Sequence, residues 1–263
     1  MGYVHRYQSR YTLGSRRSAA VVADLLMPLL APASILDVGC GTGVWLEQFR
    51  AAGVAEIHGV DGPWADAAKT LAPGEFTCLD LASEDGAAVR LPRDRYDLVI
   101  CLEMLEHLPV QQAGAAVSLL ARQADTLLVS AAIPLQGSQH HVNERWPEWW
   151  ARLFAAHGFR PFDGLRLALW NDDRVEPWYR QNMLLYFRGA VPDRVRAWGE
   201  ELAIAALSEA RAIVHPDVFA RRFGRLYYAL THPFGFARML LRERAGQPRR
   251  APPLPHLARS SDD

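Results

Sequence analysis

The chain has 263 residues, enough for one α/β domain with a sizeable core and an appendage. Half of its residues are hydrophobic, which excludes a disordered protein. Its 29 basic and 29 acidic residues give a net charge of zero, so we expect no nucleic-acid partner held by a large positive field. The segment Met1–Arg17 has no apolar signal core, and no apolar run reaches membrane length. We therefore expect a cytoplasmic protein without a transmembrane segment.

The glycine-rich stretch Ile35–Leu46 predicts a strand, a tight loop and a helix. A short apolar run from Ile35 is typical of a buried parallel strand. Gly39, Gly41 and Gly43 then allow a sharp turn and a close approach of a ligand to free backbone N–H groups. The spacing is G-x-G-x-G, whereas a dinucleotide site prefers G-x-G-x-x-G. This difference disfavours an NAD-binding oxidoreductase.

Three acidic residues lie in or directly after the carboxyl ends of the first three predicted strands. Asp37 lies two positions before the first glycine, where it would repel a pyrophosphate but suit a ligand with an amino group and a sulfonium centre. Asp61 ends the second strand at about the spacing of a carboxylate that binds ribose hydroxyls. Asp80 follows the third strand, Phe76–Leu79. Turn formation is the alternative role for Asp61 and for Asp80.

The fourth predicted strand, Tyr96–Cys101, runs directly into the sequence L-E-M-L-E-H-L-P. Glu103 is therefore expected at the carboxyl edge of the sheet, where ligands bind in open α/β folds. Glu106 and His107 lie one turn later. His107 either shapes the ligand pocket or acts only as a cap or packing residue.

The loop after the fifth predicted strand, Thr126–Ile133, concentrates polar side chains at the same edge. It contains His140, His141, Asn143 and Glu144. One interpretation is a histidine base oriented by a neighbouring polar group. A second interpretation is a divalent metal site. It is disfavoured because magnesium prefers oxygen ligands and this cluster is rich in histidine. A third is a structural loop whose polar groups bond one another.

The stretch D-V-G-C-G-T-G closely resembles the first motif of class I S-adenosylmethionine-dependent methyltransferases, and L-E-M-L-E-H-L-P resembles their motif after the fourth strand. The resemblance covers about residues 15–190. It implies a Rossmann-like α/β fold with a seven-stranded sheet, flanked by helices, whose last strand is antiparallel. S-adenosylmethionine is then the expected cofactor, with Asp80 on the adenine amino group. The expected cofactor-binding residues are Asp37, Gly39, Cys40, Gly41, Gly43, Asp61, Gly62, Asp80, Leu81, Glu103 and His107.

The later motifs, among them H-H-V-N-E-R-W-P and W-Y-R-Q-N-M-L-L, resemble one subgroup of small methyltransferase domains. That resemblance implies a hydroxyl of a small molecule or glycan as the acceptor. A hydroxyl benefits from a general base, and we expect His141 in this role, with Glu144 or Asn143 orienting it. Sequence alone does not separate His141 from His140. We expect no metal. The alternatives are an N-methyltransferase acting on a small-molecule amine and a non-catalytic domain that binds a partner.

The chain divides into three predicted regions. Residues 1–190 form the methyltransferase domain, with an N-terminal lid helix that begins at Ser15 and stops near Pro32. Residues 191–245 form a helical appendage whose interleaved apolar and Arg residues suit packing on the sheet, a homodimer contact or an anionic surface. Residues 246–263 are a disordered tail. The three cysteines, Cys40, Cys78 and Cys101, are expected to be free and buried.

Overall fold

The computed structural model describes residues 2–65, 70–81, 91–138 and 140–202 and a few positions between 213 and 237, with side chains from residue 13 onward. The strands are β1 Ser34–Val38, β2 Glu56–Asp61, β3 Phe76–Cys78, β4 Leu98–Leu102, β5 Thr126–Ser130, β6 Phe159–Phe162 and β7 Leu184–Arg188. The helices are α1 Gly2–Leu30, α2 Val44–Ala51, α3 Ala113–Gln123, α4 Pro147–Ala155, α5 Gly164–Leu169, α6 Pro177–Asn182 and α7 Asp193–Glu201.

The strands form one sheet in the order β3-β2-β1-β4-β5-β7-β6. Strands β1 to β5 are parallel, and β7 runs antiparallel between β5 and β6. The predicted seven-stranded sheet with an antiparallel last strand is therefore confirmed. The chain passes from β1 to β2 on one side and later to β4 on the other. The carboxyl end of β1 is thus the point at which the strand order reverses and a ligand crevice opens.

Apolar side chains cover both faces of the sheet. Ile35 and Ile100 pack on one face with α1 and α2, whereas Leu36 and Val99 pack on the other with α3 and α4. A strand buried on both faces is a continuous apolar run. This is why β1, β4 and β5 are recognisable in the sequence without alternation.

Two element boundaries differ from the prediction. The first helix begins at Gly2, not at Ser15. The last strand was predicted to begin at Tyr179, and this is wrong, because Pro177–Asn182 forms helix α6 and β7 starts at Leu184. Proline at the first helical position favours this helix, since its missing N–H would have no intrahelical partner there. The residues that follow Tyr179, Arg180, Gln181 and Asn182, are polar and buried, so the apolar run that marks the strand begins only after them.

Cys40 and Cys101 are buried as expected, but Cys78, in the short strand β3, is exposed, so that part of the prediction is wrong. Helix α7 is the described part of the predicted appendage, and its Val195 packs into the same core as α1. The rest of the appendage, apart from isolated positions, and the predicted tail lie outside the described residues. Among the helices that the structure describes, none has the length and apolar character needed to span a bilayer.

Candidate active site

The glycine loop after β1 adopts backbone conformations that favour glycine. Gly39, Gly41 and Gly43 have φ angles of 86°, 55° and 77°. A Cβ on Gly39 would collide with the side chain of Met104, whereas a Cβ on Gly41 would meet nothing within 4 Å. Gly39 is therefore needed for packing. The open side of Gly41 leaves room for a ligand to approach the backbone.

Asp61, at the end of β2, holds the glycine loop. Its Oδ2 accepts a hydrogen bond from the Gly41 N–H at 2.7 Å, and its Oδ1 accepts one from the Gly62 N–H at 2.7 Å. The half-buried carboxylate thus combines the turn role with a contact to the loop. Each oxygen has a further lone pair. Asp61 therefore retains the capacity to accept a hydrogen bond from a ribose hydroxyl.

Asp37 is 2% exposed and lies in β1 beside Gly59 of β2. Burial raises the pKa of its carboxyl well above the ordinary value, and the negative charge of Asp61 raises it further. A buried carboxylate is costly unless a cation or hydrogen-bond donors balance it. The site therefore fits a ligand that brings positive charge to Asp37, as the amino and sulfonium groups of S-adenosylmethionine would.

Asp80 and Leu81 follow β3 at the same edge of the sheet. The Leu79 N–H donates to the backbone oxygen of Asp61 at 2.8 Å, which aligns the end of β3 with the end of β2. Asp80 and Leu81 are half-buried, and the next described residue is Leu91. The fold therefore brings together the three predicted acidic positions, Asp37, Asp61 and Asp80, on neighbouring strand ends.

Glu103, directly after β4, is held in a left-handed backbone conformation with φ 52°. Its N–H donates to the backbone oxygen of Ser130 at 3.0 Å. Its carboxylate accepts hydrogen bonds from Gln136 Nε2 at 2.8 Å and Asn182 Nδ2 at 3.0 Å. Burial raises the pKa of Glu103, and these two amides oppose the shift. Gln136 and Asn182 were not among the predicted site residues, although a polar Asn in an apolar run was a visible signal.

His141 and Glu144 form a hydrogen-bonded pair in the loop after β5. His141 Nδ1 lies 2.9 Å from Glu144 Oε1. The N–H groups of Leu135 and Gly137 donate to the same carboxylate at 2.8 Å and 2.6 Å, which fixes its position. Asn143, the other orienting residue considered, instead accepts a hydrogen bond from Arg145. The other ring nitrogen, His141 Nε2, lies 3.9 Å from Oε1 of the buried Glu106.

His140 is exposed and has a φ of 65°. Its backbone oxygen accepts a hydrogen bond from His107 Nδ1 at 3.2 Å. The ring of His107 in turn contacts that of His141 edge to face, with centroids 4.9 Å apart. Of the two adjacent histidines, His141 is thus the one whose ring lies in the cluster, and His140 contributes its carbonyl group.

Glu106, His107 and His141 form a second feature of the site. One ligand atom from each lies within 4.8 Å of the other two. Glu106 is fully buried, and neither carboxylate oxygen has a hydrogen-bond partner among the described residues. Each of the two histidines uses Nδ1 in a hydrogen bond to an oxygen, which leaves Nε2 available. Such an outer contact is the usual companion of a metal-binding histidine, so these three residues could hold a divalent cation.

The titration behaviour of this cluster follows from its burial. Burial raises the pKa of Glu106 well above the ordinary value, and the charge of Glu103 raises it further. Burial lowers the pKa of His107, and His141 lowers it further. Glu106 and His107 are therefore both driven toward their neutral forms. A cation placed between them would reverse this tendency for Glu106.

A family model described as a methyltransferase domain matches residues 4–174, well over half of the chain. Magnesium-protoporphyrin O-methyltransferase of Synechocystis sp. is 34% identical over 126 residues, which cover 44% of this chain and 50% of that protein. Ubiquinone biosynthesis O-methyltransferase of Azotobacter vinelandii is 39% identical over 83 residues, which cover 30% of this chain and 35% of that protein. The chain thus spans between about a third and a half of the length of these relatives.

One solved structure supports the fold assignment. The sugar N-methyltransferase KedS8 from Streptoalloteichus sp. superimposes with a TM-score of 0.53 at 17% identity. The match covers 72% of this chain and 93% of that one. At this level of identity the similarity concerns the arrangement of strands and helices alone.

Proposed function

Because this chain belongs to the methyltransferase domain family, we propose that it transfers a methyl group from S-adenosylmethionine to a hydroxyl of a small molecule. The chain is an S-adenosylmethionine-dependent methyltransferase. The small-molecule acceptor and its hydroxyl are our inference. The observation that carries it is the hydrogen bond between His141 and Glu144 at the edge of the sheet where the cofactor residues lie.

The His141–Glu144 pair suits general base catalysis. A hydroxyl acceptor must lose its proton as the new bond to carbon forms, whereas a neutral amine needs little assistance. Glu144 accepts the Nδ1 proton of His141 and thereby leaves the lone pair on Nε2, which lies 3.9 Å from Oε1 of Glu106. The resulting geometry is that of a base oriented by a carboxylate, which contributes about 10²–10⁴-fold to a rate.

The remaining predicted residues position the donor. When bound, the cofactor supplies a methyl group that is already activated by the positive sulfonium. We infer that Asp37 balances the positive charge, that Asp61 accepts from the ribose hydroxyls and that Asp80 accepts from the adenine amine. Glu103, held by two amide side chains, presents a fixed carboxylate between these residues and His141. The work of this chain is therefore mainly alignment of donor and acceptor.

A second candidate is metal-assisted methyl transfer at Glu106, His107 and His141. The specific observation is the fully buried Glu106 carboxylate without a hydrogen-bond partner among described residues, next to two free histidine Nε2 atoms. A bound divalent cation would satisfy this carboxylate and would lower the pKa of an acceptor hydroxyl. In that case His141 serves as a ligand and not as the base.

The direct test of the acceptor type uses matched pairs of small molecules. Phenol and aniline, or cyclohexanol and cyclohexylamine, are incubated with the enzyme and S-adenosylmethionine carrying a ¹³C-methyl group. We expect ¹³C-labelled O-methyl products, identified by their NMR shifts, and slower or no labelling of the amines. Labelling confined to the amines would contradict the hydroxyl assignment and favour the N-methyltransferase alternative.

A further inference from the structure

An apolar cavity of about 200 Å³ lies beside the loop that carries His141. One wall comes from the loop after β5 and the start of α4, and the other from the C-terminal segment. We use the name apolar cavity for the space lined by Ile133, Leu135, Trp146, Val218, Phe219 and Phe223, with Gln136 as a further lining residue. Leu135, Trp146 and Phe219 are 60%, 40% and 53% exposed, so a considerable apolar area faces solvent. Exposed apolar surface of this kind commonly marks a binding site.

The chemistry of the lining excludes most polar ligands. Nearly all of the described side chains that line the cavity are apolar, and their polar groups are the amide of Gln136 and the indole N–H of Trp146. Gln136 Nε2 donates to Glu103 and Oε1 accepts from Asn182, so the lining offers few hydrogen bonds to a ligand. A hydroxyl-rich ring or an anion placed there would lose most of its contacts with water, which is costly. The cavity therefore favours an uncharged apolar group.

The size of the cavity sets a limit on that group. A dry apolar cavity of about 150 Å³ is large enough to bind benzene. The volume of about 200 Å³ thus accommodates one six-membered aromatic ring with a small substituent, or a branched aliphatic group of similar size. A fused ring system would have to extend beyond the enclosed part.

A short chain of hydrogen bonds connects the apolar cavity to His141, the proposed base. The N–H of Leu135, a cavity residue, donates to Glu144 at 2.8 Å, and Glu144 accepts from His141. Gln136, another cavity residue, donates to Glu103 at the end of β4. Leu135 and Gln136 thus join the lining of the cavity to the His141–Glu144 pair and to Glu103.

The wall supplied by the C-terminal segment is anchored by His215. Its backbone N–H donates to Gln181 Oε1 at 2.8 Å, and its ring Nε2 lies 2.7 Å from the backbone oxygen of Trp170. His215 is 5% exposed. This anchor places Val218, Phe219 and Phe223 opposite the loop after β5. The C-terminal segment thus contributes to a site and does not merely cover the sheet.

We propose that the apolar cavity binds an aromatic ring, or a branched aliphatic group, of the methyl acceptor, adjacent to the hydroxyl that His141 addresses. The proposal names the acceptor class and rests on the proposed function for the identity of the occupant. It disfavours a sugar as the group in this cavity, because the mostly apolar described lining offers too few hydrogen-bonding atoms for its several hydroxyls.

The test measures binding of 4-fluorophenol to the full chain by ¹⁹F NMR, with and without S-adenosylhomocysteine. A fluorinated glucose of similar ring size serves as the polar comparison. We expect the phenol to bind at least about tenfold more tightly than the sugar, because only the sugar loses hydrogen bonds on entry. Phe219→Asp places a charge in the lining and should weaken phenol binding about tenfold or more. Phe234→Asp is the matched control, since Phe234 is 84% exposed and does not line the cavity.

A second variant, Trp146→Ser, removes an aromatic wall while supplying a favourable helix-capping residue before α4. It should also weaken phenol binding, and all variants should keep their affinity for S-adenosylhomocysteine within about twofold. Failure of 4-fluorophenol to bind, or equal losses in Phe219→Asp and Phe234→Asp, would overturn the proposal. The proposal would also fail if Phe219→Asp changed the oligomeric state and left phenol binding unaltered. The lining of the apolar cavity would then be a contact surface for a second copy of the chain.

The outcomes distinguish this proposal from the proposed function. If phenol binding is lost in Phe219→Asp but no hydroxyl is ever methylated, the cavity assignment is supported and the hydroxyl assignment fails. If hydroxyl acceptors are methylated and Phe219→Asp changes neither phenol binding nor their KM, the cavity assignment fails and the proposed function is supported.

Discussion

The carboxylate of Asp61 accepts a hydrogen bond from the Gly41 N–H at 2.7 Å and so joins the end of β2 to the glycine loop after β1. The residues are 20 positions apart in the chain. The contact couples two parts of the cofactor site that the sequence presents separately. A change at Asp61 should therefore affect both the ligand and the loop.

We predict that Asp61→Ala weakens binding of S-adenosylhomocysteine by about 1.5–3 kcal/mol, the usual worth of hydrogen bonds to a charged group. The melting temperature should also fall modestly, because the Gly41 and Gly62 N–H groups lose their acceptor. Asp61→Asn retains one acceptor oxygen and should lose less affinity. Calorimetry and thermal denaturation provide the two readouts. An unchanged dissociation constant in Asp61→Ala would mean that Asp61 only stabilises the turn.

Asp37 should give cofactor binding a pH dependence. Its raised pKa means that the ligand-free site takes up a proton well above the ordinary range of an Asp carboxyl. A cationic ligand prefers the ionised form, so affinity should decrease as the pH falls through that raised value. Asp37→Asn should bind more weakly at neutral pH and should lose this dependence. Calorimetric titrations at several pH values measure this dependence. The same pH dependence in Asp37→Asn would contradict the role of Asp37 in binding the cationic ligand.

The same carboxyl affects stability without a ligand. An unfolded Asp has a pKa of about 3.9, and the folded value is higher, so the folded state binds the proton more tightly. Stability from this group is present at low pH and is lost as the pH rises from the unfolded value through the folded one. Ligand-free Asp37→Asn should therefore melt at a higher temperature than the native chain at pH 8, and the difference should shrink toward pH 4.

His141→Ala should lower the methyl-transfer rate by about 10²–10⁴-fold if His141 is the base. Affinity for S-adenosylhomocysteine should barely change, because Asp37, Asp61 and Asp80 lie on other strand ends. His140→Ala is the matched control and should retain activity, since its ring is exposed. Near-normal turnover of His141→Ala with saturating acceptor would eliminate the base role.

The metal alternative makes a different prediction at Glu106. If the cluster holds a divalent cation, a chelator should abolish activity, added Mg²⁺, Mn²⁺ or Zn²⁺ should restore it, and the cation should raise the melting temperature of the native chain. Glu106→Gln should lose that increase, because the amide is a poorer cation ligand. If no cation binds, chelator should have no effect. Glu106→Gln should then melt higher at neutral pH, because it removes a buried acid that has no hydrogen-bond partner among described residues.

Thiol labelling should distinguish the three cysteines. Cys78 is exposed and should react rapidly with a disulfide reagent such as dithionitrobenzoate. Cys40 and Cys101 are buried, and burial raises the pKa of both thiols, so they should react only on unfolding. Spectrophotometry should show one fast thiol in the native chain and none in Cys78→Ser. Two fast thiols in the native chain would contradict the burial of the glycine-loop cysteine.

The sequence by itself determined the order of the elements up to β5 and the expected positions of the cofactor residues. Strands buried on both faces are continuous apolar runs, and the left-handed conformations of the loop favour glycine. Both features are therefore visible in the local sequence. The carboxyl ends of parallel strands meet at one edge. Asp37, Asp61 and Asp80 could therefore be placed near one another without a structure.

Only the tertiary structure decided which polar groups act together near the acceptor. Glu103 contacts Asn182 across 79 positions, and His107 contacts the carbonyl of His140 across 33. Such contacts depend on how loops after β4, β5 and α6 converge, and no local pattern encodes that convergence. The different surroundings of His140 and His141 arise in the same way. His141 lies against Glu144 and His107, whereas His140, whose own backbone is left-handed, is exposed.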